Sequence, residues 1–249
     1  MNEEPYRWLE AVENRREYVR EQLKGGSPAF GVKLPDGILL VAIGSGNSKV
    51  FELFDRHALA ALGHPADIEK IRQAAIDAAH MEAFTRAPED VSLRRLIGFG
   101  LSPQLKTNFE QIFSAPFLIE MLLAELHNDP ANDVLVRLHF DGSFEFATTP
   151  VVVIGAHPEP EKAAQTWLIE QLADQTDRER IIDTLLQAWW VMRENKSFAE
   201  LPSEEDRRNG WREATKDRVL EIGWLDRKLK RPARFVWLAG DKFGAKSEA

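Results

Sequence analysis

The stretch "GGSPAFGVKLPDGILLVA" (residues 25–42) decides how the rest of the chain is organised. Two apolar runs, residues 29–34 and 38–43, flank "PDG". Proline presets a turn φ, aspartate bonds its own backbone, and glycine admits conformations that other residues resist. The pattern predicts an antiparallel hairpin. A glycine pair and Ser27 precede it, which poses a chemical question. Ser27 is either an N-terminal nucleophile freed by cleavage after Gly26 or the edge residue of that hairpin.

On the N-terminal side, residues 5–24 read as a helix. Pro5 suits a first-turn position, Glu3 and Glu4 suit the positive helix end, and Gly25–Gly26 stop it. Its apolar stripe (Trp8, Leu9, Val12, Val19, Leu23) is interrupted by Arg15, Arg16, Glu17 and Arg20, so it lies on a surface or against a neighbour. Downstream, residues 49–54 and 57–62 predict a second strand pair, and residues 66–86 a long helix with apolar residues at helical spacing. Residues 101–128 are expected to form another long helix, kinked or split at Pro116. Residues 134–156 read as strands around "DGS", and 160–173 and 178–195 as two further amphipathic helices. Residues 196–215 are polar and read as a linker, with closing strands at 218–225 and 233–239. Grouped strands alternating with grouped helices predict an α+β layered sandwich.

Composition narrows the function. The chain has 249 residues, enough to bury a substantial core. A net charge of −8 argues against nucleic acid as a partner. The absence of cysteine excludes disulfides and thiolate chemistry. No apolar run reaches the length of a membrane span, and the charged N-terminus lacks a signal-peptide core, so a cytoplasmic protein with no membrane partner is expected. Phosphate-loop, zincin, G-x-S-x-G and EF-hand signatures are missing. The six histidines lack ligand spacing, so no metal and no cofactor are expected. The basic run "RKLKRPAR" (residues 227–234) reads as a solvated turn between strands.

Four segments resemble proteasome α-type subunits of the actinobacterial kind. They are "EYVREQLKGGSPAFGVKLPDGILLVA", "SKVFELFDRHALAALGHPADIEKIR", "HFDGSFEFATTPVVVIGAHPEPEKAAQTWL" and "RVLEIGWLDRKLKRPARFVWL". Together they extend the resemblance to nearly the whole chain. It implies the four-layer αββα sandwich of the Ntn-hydrolase superfamily over residues 1–249. Residues 1–26 would be the gate and N-terminal helix, 27–195 the sandwich, 196–215 a linker, and 216–249 the closing strands and tail.

It also implies a function: a non-catalytic subunit of the outer heptameric ring of a bacterial proteasome core, part of a threonine-type endopeptidase complex. Such a subunit gates entry of unfolded protein substrates, templates assembly of a β-type subunit ring, and docks a regulatory AAA ATPase. Lys49 would then meet the carboxylate of an ATPase tail, with Glu17, Gly26 and Gly63 shaping the pocket. Met1, Asn2, Glu3, Glu4, Pro5, Tyr6 and Arg7 would sit at the pore. The alternative is an autoprocessed Ntn-type peptidase or amidohydrolase with Ser27 as nucleophile and Lys49 assisting. Ile43 counts against it, because it stands where the catalytic relatives place an acid. So do Pro28, which restricts the Ser27 backbone, and the helix-like character of what precedes Ser27.

Overall fold

The computed structural model describes residues 4–240. Met1, Asn2 and Glu3 of the expected gate lie outside the described residues, as does the tail 241–249. In chain order the elements are α1 (Glu4–Leu23), β1 (Ala29–Leu34), β2 (Gly37–Gly44), β3 (Val50–Phe54), β4 (His57–Gly63) and α2 (Pro65–Thr85). After these come α3 (Leu93–Arg95), which opens into a π-helical turn over Leu96–Leu101, then α4 (Ser102–Glu110), β5 (Ile119–Glu125), β6 (Val134–His139), β7 (Phe144–Phe146) and β8 (Val151–Ile154). The chain closes with α5 (Pro158–Leu172), α6 (Arg178–Arg193), α7 (Glu204–Thr215), β9 (Val219–Asp226) and β10 (Phe235–Trp237).

The strands form two five-stranded antiparallel sheets, ordered β10-β9-β2-β1-β8 and β3-β4-β5-β6-β7. The predicted hairpin is β1–β2, with Leu34 opposite Gly37 across the turn. Strand alternation separates the layers. Along β2, Ile38, Leu40 and Ala42 pack toward the second sheet, in one cluster with Leu59 of β4 and Leu122 of β5. Leu39, Val41 and Ile43 point the other way, into a cluster with Leu168 of α5, Leu185 and Trp189 of α6, and Trp211 of α7. On the far side, Ile68, Ile71, Ala75 and Ala79 of α2 cover the second sheet. The result is an α+β sandwich with two sheets between two helical layers.

Two expectations are corrected. Residues 101–128 are not one helix: α4 ends at Glu110, and residues 119–125 are a strand at the centre of the second sheet, paired with β4 and β6. Leu, Met, Ala and Glu favour helix, but this strand is buried on both faces and so shows no alternation to betray it. The linker expected at 196–215 carries α7. Ser203 caps it, its Oγ accepting from the Asp206 amide at 3.1 Å, and Glu204, Glu205 and Asp206 favour the positive helix end.

The N-terminal helix is held along its whole C-terminal half. Val19 and Leu23 are buried, whereas Trp8, Leu9 and Tyr18 are about half exposed. The Arg15 guanidinium donates to the carbonyls of Asn108, Ile112 and Ser114, at 3.1, 3.3 and 2.8 Å. The Asn108 carbonyl also accepts from the Gln111 amide at the end of α4, and Ile112 and Ser114 lie in the loop just beyond it. Arg16 pairs with Asp141 at 3.1 Å.

Beneath α1 lies a buried polar cluster. Arg137 contacts Glu161 at 3.2 Å, and His139 contacts Glu120 at 2.8 Å. Burial pushes the Glu161 carboxyl up to about 7, with Arg137 opposing and the Glu120 charge adding to the rise. A carboxyl whose folded pKa is raised binds its proton more tightly in the native state. Its ionisation therefore costs stability progressively from its ordinary range up to pH 7, and fully above it. Glu161→Gln is expected to flatten the fall in unfolding free energy between pH 5 and pH 8. Urea titrations at the two pH values check this; an unchanged pH slope in the variant would remove Glu161 as its source.

Candidate functional site

The segment joining α1 to β1 runs between two clefts. One, of about 260 Å³, is lined among others by Gly26, Ser27, Lys49, Gly63 and Arg218. The other, of about 220 Å³, is lined by Lys24, Pro28, His157, Trp189, Arg193 and Arg218 among others. Residues 25–27 and Arg218 belong to both. Among the described residues, no acidic side chain lines either cleft.

Backbone demands place the glycines here. The Gly26 amide donates to the Leu23 carbonyl at 2.7 Å, closing α1. A Cβ at Gly26 would meet that same oxygen at 2.8 Å and Leu62 Cδ1 at 2.9 Å. Gly63 ends β4 at φ +134°, and a Cβ there would sit 1.9 Å from the Leu118 carbonyl oxygen. Both positions require glycine for the turn itself.

Ser27 is engaged on two sides. The indole Nε1 of Trp189, a buried residue of α6, donates to Ser27 Oγ at 2.7 Å. The Lys49 ammonium donates to the Ser27 carbonyl at 3.0 Å. Within the continuous chain the Ser27 nitrogen is an amide and supplies no base. Ile43, where the catalytic relatives would carry an acid, is a buried aliphatic side chain.

Lys49 stands just before β3, fixed from below by Glu221 of β9. The buried Glu221 carboxylate accepts from the Lys49 amide at 3.0 and 2.9 Å and from the Val50 amide at 3.0 Å. Burial lowers the Lys49 ammonium to about 8, with the Glu221 charge opposing and the Arg218 charge adding to the fall. At pH 7 it is still mainly protonated. The arrangement is a partly buried cation with a fixed backbone over an acid-free cleft, suited to receive an anion.

The sequence-predicted residues divide accordingly. Ser27, Lys49, Gly26 and Gly63 come together, while Glu17 is exposed on α1 and does not line either cleft. Trp189, Arg193, Arg218 and Glu221 were not foreseen. Glu221 lies 172 positions from Lys49, and only the β2–β9 pairing brings it there. Among the described residues, no group of three or more His, Asp or Glu is placed to hold a metal ion. None of the described helices is long and apolar enough to cross a membrane.

No protein-family model matches the chain. It is similar to several curated proteins named proteasome subunit alpha. With that of Actinosynnema mirum it is 33% identical over 134 residues, 53% of this chain and 50% of the relative. With that of Pseudarthrobacter chlorophenolicus it is 32% identical over 149 residues, 58% and 61% of the two chains. With that of an Arthrobacter species it is 29% identical over 160 residues, 62% and 65%. The chain thus spans between half and two thirds of the length of these relatives. The match covers 53–62% of this chain in these three cases, less than the near-complete extent expected from its motifs.

Proposed function

We propose, from the premise that this chain is homologous to the actinobacterial proteasome α subunits, that it builds the outer ring of a proteasome core. In this reading seven copies form the ring, which templates a β-type ring and admits unfolded protein from a regulatory AAA ATPase in the cytoplasm. The N-terminal residues 1–7 serve as its gate. Lys49 receives the terminal carboxylate of an ATPase tail, with Gly26 and Gly63 shaping the cleft. The chain itself does not cut peptide bonds.

The observation that carries this reading is the way α1 is tied down. Arg15 satisfies three carbonyls around the end of α4, Val19 and Leu23 are buried, and the Gly26 amide closes the helix. A propeptide destined for removal has no need of such attachments. Excising it would expose apolar core and strip the Ile112 and Ser114 carbonyls of the Arg15 donor. The Ser27 hydroxyl meanwhile faces an indole donor rather than a base.

Denaturing and native mass spectrometry of the protein co-expressed with a proteasome β subunit tests the reading. The expected result is full-length mass in ring-sized assemblies. A mass lacking Met1 to Gly26 would transfer the function to Ser27 as a freed nucleophile. Full-length protein that stays monomeric beside an assembling β subunit would overturn the ring.

A further inference from the structure

The cleft on the Trp189 side has a charge arrangement that ring docking through Lys49 does not use. Arg193 closes α6 and Arg218 directly precedes β9, yet both guanidiniums rest near one indole. Their central carbons lie 5.3 and 5.9 Å from the Trp189 ring centroid. That indole is buried and fixed by its bond to Ser27, so the two arginines are anchored to a common rigid surface.

Their charges are poorly compensated. Arg193 donates to the Ala214 carbonyl at 3.3 Å, and its carboxylate neighbour is Glu194 at 4.0 Å, a long and exposed pair of little worth. Among the described residues no carboxylate pairs with Arg218. Lys24 at the rim pairs with Glu21 on the exposed side of α1 at 3.2 Å. His157 and Pro160, at the start of α5, border the same space. Burial lowers the Arg218 guanidinium and the Arg193 charge lowers it further. Like charges crowded around an acid-free cleft cost free energy that a bound anion would offset.

We propose that this cleft, between the end of α6, the start of α5 and residues 24–28, binds a phosphate-class oxyanion held by Arg193 and Arg218. Two guanidinium forks approaching from different elements match an acceptor with oxygens in several directions, as a tetrahedral phosphate has and a planar carboxylate lacks. At about 220 Å³ the cleft has room for the ion with ordered water or for a phosphoryl group carried on a small substituent. The site stands independently of the α-subunit assignment.

Isothermal titration of the full chain with inorganic phosphate and with free phosphoserine, at constant ionic strength, tests it. Saturable binding is expected. Arg193→Gln and Arg218→Gln should each weaken it at least tenfold, while Arg231→Gln, on the β9–β10 turn, should leave it unchanged. Equal affinities for the two probes would mark free phosphate as the ligand. Tighter phosphoserine would mark a carried phosphoryl group. Should Arg218→Gln fail to fold, Arg218→Lys keeps the charge without the fork and should bind with intermediate affinity. Absence of saturable binding by the wild type, equal binding by the double Arg193→Gln/Arg218→Gln variant, or acetate binding as tightly as phosphate would each overturn the site.

Discussion

Lys49→Ala is expected to leave the chain folded and assembled while lowering ATPase-stimulated degradation by a reconstituted core at least tenfold. The size follows from the chemistry of the contact. A hydrogen bond to a charged group contributes about 1.5–3 kcal/mol, which is about ten- to a hundredfold in affinity. Among the described residues no acid lines the cleft. The Glu221 carboxylate that acts on Lys49 from below accepts from the backbone amides of Lys49 and Val50, so the ammonium is open to an arriving carboxylate from the cleft side. The folded state should tolerate the loss, because Lys49 Nζ makes one bond, to the Ser27 carbonyl, and its burial already disfavours the charge. Lys49→Met, which keeps the stem, separates packing from charge and should behave like alanine in the docking assay.

The pH dependence has a definite sign. Only the protonated amine attracts a carboxylate, so docking should hold at pH 7 and weaken as pH rises through about 8, the value to which burial brings Lys49. Degradation rates with and without ATPase at pH 7 and pH 9 measure this. Full stimulation in Lys49→Ala would remove the docking role from this cleft.

How much of this was legible in the sequence depends on where the information resides. The β1–β2 hairpin was legible because "PDG" is local turn chemistry, and residues 66–86 because small and apolar residues recur there at helical spacing. The strand at residues 119–125 was not, because burial on both faces erases the alternation that separates strand from helix. Helix α7 was hidden by its polarity. Only Trp211 and Thr215 of it are buried, although Ser203 with Asp206 three residues later is a start signal that composition obscured. At the site, Lys49, Gly26 and Gly63 were found through family resemblance, whereas their supports are products of topology. Trp189 is 162 positions from Ser27, and no spacing rule links an indole on one helix to a serine at a strand edge.

Glu221→Ala is expected to be the most destabilising single change at the site, costing about 3 kcal/mol. Its carboxylate is the acceptor for two successive amides, those of Lys49 and Val50, where β3 begins. Val50 is fully buried, so water cannot replace the lost partner there. A buried donor left unsatisfied costs about 1–3 kcal/mol, and two are affected. Glu221→Gln keeps one acceptor oxygen and should cost about 1 kcal/mol. Urea unfolding of the two variants measures the difference; a cost below about 1 kcal/mol for alanine would show that β3 is held by its pairing with β4 alone.

The glutamine variant also separates structure from electrostatics. It preserves the turn into β3 but removes the charge that opposes the depression of Lys49. The ammonium should then lose its proton at a pH below about 8, and the pH profile of docking should shift to the acid side while its plateau is retained. Alanine should lower the plateau as well, since Lys49 would no longer be held over the cleft. If both variants dock with the wild-type profile, the charge of Glu221 has no part in setting the state of Lys49.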